Sequence, residues 1–129
     1  MGMFNSCKKD SQPGQVPNIY VDINIYTTDP LFSNLNPVGG WTYVSGGSKG
    51  ILVYRKSNTE FMAYERHCPY RPQDPCGQIE VDLTNLQAVD SCCSSKFLLT
   101  DGSVTIGPSP FPLKFYQNTF DGNVLHIFN

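Results

Sequence analysis

Asp90-Ser91-Cys92-Cys93-Ser94-Ser95-Lys96-Phe97-Leu98-Leu99-Thr100-Asp101-Gly102, together with Ala63-Tyr64-Glu65-Arg66-His67-Cys68-Pro69-Tyr70 upstream, is the part of this sequence that decides its fold. Between the two stretches lies Cys76, so four of the five cysteines fall in the window Cys68–Cys93. Clustered cysteines in a small domain serve either as metal ligands or as disulfides, depending on the redox compartment, and the pattern alone does not choose. A vicinal Cys92–Cys93 bond would close a strained small ring, which leaves two disulfide connectivities open.

Working outward, the flanking sequence reads as short strands. Pro17 to Thr27 alternates Ile19, Val21, Ile23 and Ile25 with Tyr20, Asp22, Asn24 and Tyr26, a half-buried strand. Asp29-Pro30 interrupts it, and Leu31–Leu35 has room for one helical turn before Asn36-Pro37. Trp41–Ser45, Ile51–Lys56 and Glu60–Glu65, separated by Gly46–Gly50 and Ser57–Thr59, predict a three-stranded meander. Further strands are expected at Gln78–Asp82, Gln87–Asp90, Lys96–Thr100, Val104–Ile106, Leu113–Phe120 and Val124–Phe128. The proline-rich Pro108–Pro112 cannot supply ladder N–H groups and is expected to cross as an extended loop. Regular short strands without a sustained helical period predict an all-β fold.

Length and charge narrow the function. A chain of 129 residues is one domain. A net charge of −2, with nine scattered Lys and Arg, argues against nucleic-acid binding. No apolar run reaches the roughly 18–20 residues of a membrane-spanning helix. The polar, turn-prone residues 1–15 are expected to form a flexible tether.

The two stretches quoted first resemble the cluster loops of Rieske iron–sulfur domains. Gly107-Pro108, Pro112-Leu113 and the final Asp121-Gly122 hairpin continue the resemblance, which covers roughly residues 15–129. It implies the Rieske fold, an antiparallel β sandwich or barrel base with a small inserted cluster-loop subdomain at about 66–110, within a domain spanning 16–129. In that family two thiolates hold one iron and two imidazoles the other. Laid onto this chain, the four ligand positions fall on Cys68, Tyr70, Asp90 and Cys93. Only Cys68 retains a family ligand, and Tyr70 and Asp90 offer oxygen to a soft iron centre. The resemblance therefore implies a domain that has lost its cluster, with no cofactor and no catalytic residue.

The same resemblance selects among the disulfides. Respiratory Rieske proteins carry an extra disulfide between their cluster loops, at positions matching Cys76 and Cys92. This leaves Cys68 and Cys93 to bond across the former cluster site. Each bond is worth roughly 3 kcal/mol by chain-entropy reasoning. A zinc site is disfavoured by spacing, since structural zinc usually draws ligand pairs about two to four residues apart.

Other features are expected to be structural. His67 neighbours Cys68 but points to the opposite face of an extended segment, as a partly exposed loop residue. His126 is a solvated or hydrogen-bonded strand position, and Trp41 a core or sheet-edge aromatic. Tyr70, Phe97, Pro110 and Phe111 read as loop packing over the cysteines rather than as a functional cap. Ser94-Ser95 lacks an identifiable base and acid, so catalysis is not expected. Cys7, before Lys8-Lys9-Asp10, resembles the acylated cysteine of a bacterial lipoprotein. That implies an extracytoplasmic, membrane-anchored monomer whose contact with the membrane runs only through a lipid on Cys7.

The leading expectation is thus a non-enzymatic Rieske-like domain, clamped by disulfides, with a structural or interaction role and a protein partner of unknown identity. One rival is an electron carrier with a [2Fe–2S] centre. Another is a thiol–disulfide redox protein, which needs a reactive thiolate near positive charge, for which Arg66, Arg71 and Lys96 are the available residues.

Overall fold

The computed structural model describes residues 16–129; residues 1–15, on which the expected tether and Cys7 fall, lie outside the described residues. Among the described residues ten strands run in chain order: β1 (Asp22–Tyr26), β2 (Trp41–Val44), β3 (Ile51–Arg55), β4 (Phe61–Glu65), β5 (Ile79–Val81), β6 (Gln87–Asp90), β7 (Lys96–Leu98), β8 (Val104–Ile106), β9 (Phe115–Phe120) and β10 (Val124–Phe128). A single 3-10 segment, Pro30–Leu35, links β1 to β2, and the Asp29 carboxylate accepts the Leu31 N–H at its start. All strand pairs are antiparallel. No helix among the described residues is long and apolar enough to cross a membrane.

The strands form two sheets. A six-stranded sheet has the order β1-β10-β9-β4-β3-β2, and a four-stranded sheet the order β5-β6-β7-β8. The second sheet is inserted between β4 and β9, neighbours in the first. The expected alternation from Pro17 needs one correction. Pairing begins only at Asp22, whose register partner Phe128 ends β10, so there is no strand opposite Ile19 and its side chain is exposed.

Packing follows from the pleat. On β3 and β4, successive side chains point to opposite faces. Ile51, Val53, Phe61 and Ala63 join Val21, Ile25, Leu35, Tyr116, Leu125 and Ile127 in one buried cluster. Leu52, Tyr54 and Tyr64 face the other way and join Cys68, Ile79, Ala88, Phe97, Leu99 and Leu113 in a second. The middle of the large sheet is therefore covered on both faces, which is why β3 reads as the unbroken apolar run Ile51-Leu-Val-Tyr54 rather than as an alternation. Phe97, expected as loop packing, belongs to this second core and is fully buried. The Tyr64 hydroxyl ties the layers together by donating to the Leu99 carbonyl at 2.7 Å.

Candidate functional site

The two cysteine loops are the connection from β4 of the large sheet to β5 of the inserted one and a turn within the inserted sheet. The first leaves β4 and closes on itself: the Cys68 N–H donates to the Gly77 carbonyl at 3.0 Å, and the Ile79 N–H to the Arg66 carbonyl at 2.8 Å. The second is the turn between β6 and β7. Asp90 organises it, because Asp90 Oδ1 accepts the Cys92 N–H at 2.8 Å and its carbonyl accepts the Ser94 N–H at 2.9 Å. Ser94 takes a positive φ of 67°, reversing the chain so that the Ser95 carbonyl accepts the Asp90 N–H. A disulfide between Cys76 and Cys92, with a Cα–Cα distance of 5.7 Å, joins the loops. Ser91 Oγ adds a hydrogen bond to the Cys76 carbonyl.

Cys68 and Cys93 correct the expected second disulfide, since both are free thiols. Both sulfurs instead stand beside the Asp90 carboxylate. Cys93 Sγ donates to Asp90 Oδ2 at 3.2 Å. Cys68 Sγ, Cys93 Sγ and a carboxylate oxygen of Asp90 all lie within 4.8 Å of one another. Cys68 is 0% exposed and Asp90 1%, whereas Cys93 is half-buried. Ser95 Oγ lies 3.1 Å from Cys93 Sγ and accepts the Ser109 N–H at 2.9 Å, which brings the proline-rich crossing loop onto the site. Burial, and then the neighbouring Asp90 carboxylate, push the Cys68 thiol well above the ordinary cysteine range, against a smaller opposing pull from the Tyr70 N–H.

The remaining candidates are distributed around this centre. The Tyr70 ring packs at the margin of the second core, with the Arg71 guanidinium 5.3 Å from its centroid. Arg66 lies over the Tyr43 ring at 3.7 Å and donates to the Ile79 carbonyl. His126 pairs with Asp22 at 2.6 Å on the surface of β10. His67 does face away from the sulfurs, but it is buried rather than partly exposed. Its Nδ1 meets Ser48 Oγ at 2.8 Å and its Nε2 the Pro72 carbonyl, so the ring fastens the first loop to the turn between β2 and β3. Trp41 sits on the edge strand and donates its indole N–H to Asn85.

Sequence reasoning missed the element that braces the first loop. Glu65, the last residue of β4, is 0% exposed. Its Oε1 accepts the Ser48 N–H at 2.8 Å and the Tyr116 hydroxyl at 2.6 Å; its Oε2 accepts the Lys49 N–H at 2.8 Å and the His67 N–H at 2.9 Å. The turn so held lets Lys49 Nζ donate to the carbonyls of Asp74, Pro75 and Gly77, at 3.1 to 3.3 Å. Gly47 makes this close approach possible: it has a φ of +62°, and a Cβ there would run into the Glu65 carboxylate. The only sequence signal was the pair of glycines beside Ser48-Lys49, which reads equally well as an ordinary hairpin turn.

No family model matches the chain, and no curated protein matches it. Among solved structures, the cyanobacterial plasma membrane Rieske protein PetC3 from Synechocystis PCC 6803 superposes with a TM-score of 0.61 and 19% identity, over 83% of this chain and 99% of that one. The architecture predicted from the loop sequences and the architecture observed agree, and the chain has a Rieske-type antiparallel β fold.

Proposed function

We propose that this chain is a cluster-free Rieske-fold domain, non-enzymatic and extracytoplasmic, tethered through a lipid on Cys7 and serving a structural or interaction role. The observation that carries the reading is the donor set at the loop junction. Two sulfurs and one carboxylate gather there, while both histidine rings are committed elsewhere, His67 to Ser48 and Pro72 and His126 to Asp22. A Rieske centre needs two thiolates on one iron and two imidazoles on the other. Cys68, Tyr70, Asp90 and Cys93 do not fit that requirement. Spacing supports the same conclusion, because ligands on opposite irons stand farther apart than ligands that converge on one point, and these donors converge within 4.8 Å.

The Cys76–Cys92 disulfide holds the two loops together, which suits an oxidising compartment. The raised Cys68 thiol disfavours thiol–disulfide exchange, which depends on an accessible thiolate. Anaerobic reconstitution with iron and sulfide tests the reading. The expected product is colourless and retains no sulfide. Stoichiometric iron and sulfide with visible charge-transfer absorption would establish the electron-carrier alternative instead.

A further inference from the structure

The free thiols Cys68 and Cys93 are separated in sequence but converge on Asp90, the three donor atoms all lying within 4.8 Å of one another. Around one tetrahedral zinc ion with Zn–S bonds of about 2.3 Å, neighbouring ligand atoms stand about 3.7 Å apart. No donor pair would have to change its separation by more than about 1 Å to reach that spacing, the Cys93–Asp90 pair opening slightly from 3.2 Å. Nothing larger than a side-chain adjustment is required.

We propose that Cys68, Cys93 and Asp90 form a site for a single zinc-like divalent cation, with the fourth position open to water or to Ser95 Oγ. Two thiolates select a borderline thiophilic ion over calcium or magnesium, and one carboxylate is an ordinary companion ligand for zinc. Binding is a proton exchange without redox change. The Cys68 and Cys93 S–H bonds break, two protons leave to solvent, and two metal–sulfur bonds form while Asp90 contributes an oxygen. Three negative ligands around a dication leave a net charge of −1.

The surroundings are already arranged for this. The Cys92 N–H holds Asp90 Oδ1, leaving the other oxygen toward the sulfurs. Ser95 Oγ is fixed from behind by the Ser109 N–H, and the Cys76–Cys92 disulfide pins the residue next to Cys93. Such outer contacts orient ligands and set affinity. The usual zinc spacing is absent because the ligands come from two loops, brought together by β5–β8 and the disulfide, rather than from one turn.

The inference rests on the cluster-free reading, since the ion would use residues at the former cluster positions. The full chain, prepared without oxygen, is titrated with cobalt(II) as a spectroscopic probe and then with zinc. One cobalt per chain is expected, with thiolate-to-cobalt charge-transfer absorption and tetrahedral visible bands that zinc abolishes and magnesium does not. Zinc should also protect both thiols from alkylation. The half-buried Cys93→Ser, less exposed to a folding defect than Cys68→Ser, should lose affinity by more than the roughly 10–100-fold that outer-shell changes cost. Asp90→Asn should weaken binding while leaving charge-transfer bands from both sulfurs.

Absence of thiolate charge transfer at saturating cobalt overturns the site, as does an unchanged spectrum in folded Cys93→Ser. The two proposals can fail separately. Cobalt silence in a chain that also stays colourless with iron and sulfide defeats only this inference, whereas assembly of an iron–sulfide chromophore defeats the cluster-free reading and the mononuclear site with it.

Discussion

Replacing Glu65 by Gln removes one negative charge and one acceptor from a buried junction without changing its size. In the parent, all four donors around the carboxylate are matched, two on each oxygen. The least damaging orientation of the Gln amide puts its NH2 where Oε1 was, because the Tyr116 hydroxyl can turn and accept. The Ser48 N–H has no such freedom and is left facing another donor. An unsatisfied buried donor costs about 1–3 kcal/mol, and hydrogen bonds to a neutral acceptor are weaker than those to a charged one. Relief of carboxylate desolvation offsets part of this. The expected net loss is about 2–4 kcal/mol, a large share of the roughly 5–15 kcal/mol that such domains possess.

The loss should also have an address. Glu65 holds the turn at Ser48-Lys49, and Lys49 Nζ holds the carbonyls of Asp74, Pro75 and Gly77, one of which accepts the Cys68 N–H. Amide exchange should therefore accelerate in residues 46–50 and 68–79 before it does in β1 or β10. Urea unfolding gives the magnitude and hydrogen exchange the location. Tyr116→Phe removes only one bond to the same carboxylate and should cost about 1.5–3 kcal/mol. If Glu65→Gln changed stability by less than about 1 kcal/mol with exchange unaltered around the turn, the bracing role assigned to Glu65 would be refuted.

Two further outcomes follow from the same structure. Cys76→Ser with Cys92→Ser opens a cross-link of sequence separation 16, and the chain-entropy relation gives a loss of about 3 kcal/mol; a urea-unfolding difference near zero would mean that the bond constrains little. Burial, followed by the nearby Asp101 charge, raises the Tyr64 phenol well above its ordinary range, so the folded state favours the neutral form. Its contribution is full below the unfolded pKa of about 10 and declines as pH rises beyond it, so the stability gap between the parent and Tyr64→Phe should narrow above about pH 10. A gap that stays constant from pH 8 to pH 11 would contradict this.

The sequence alone was sufficient for the strands and their order of appearance. Alternating apolar residues, Gly-containing turns and Asp-Gly corners are local signals, and β2 to β10 lie where those signals place them. The loop sequences at Ala63–Tyr70 and Asp90–Gly102 carried the fold because they are long enough to specify a strand, a turn and a ligand position at once. Where a signal depended on a partner, it failed at the edge: Ile19 has the right alternation, yet β10 has already ended opposite Asp22.

The tertiary structure decided everything that depends on which side chains meet. Counting cysteines could not show that Cys68 and Cys93 would stay free beside Asp90, because the carboxylate and Cys68 come from different loops and meet only once the four-stranded sheet is closed. Nor could it show that a glutamate ending an apolar strand would be fully buried. Its four donors come from the β2–β3 turn, the first loop and β9, which are far apart along the chain. Local propensity acts over a few residues, whereas a buried polar group is tolerable only if distant segments deliver its partners, and that delivery is a property of the fold.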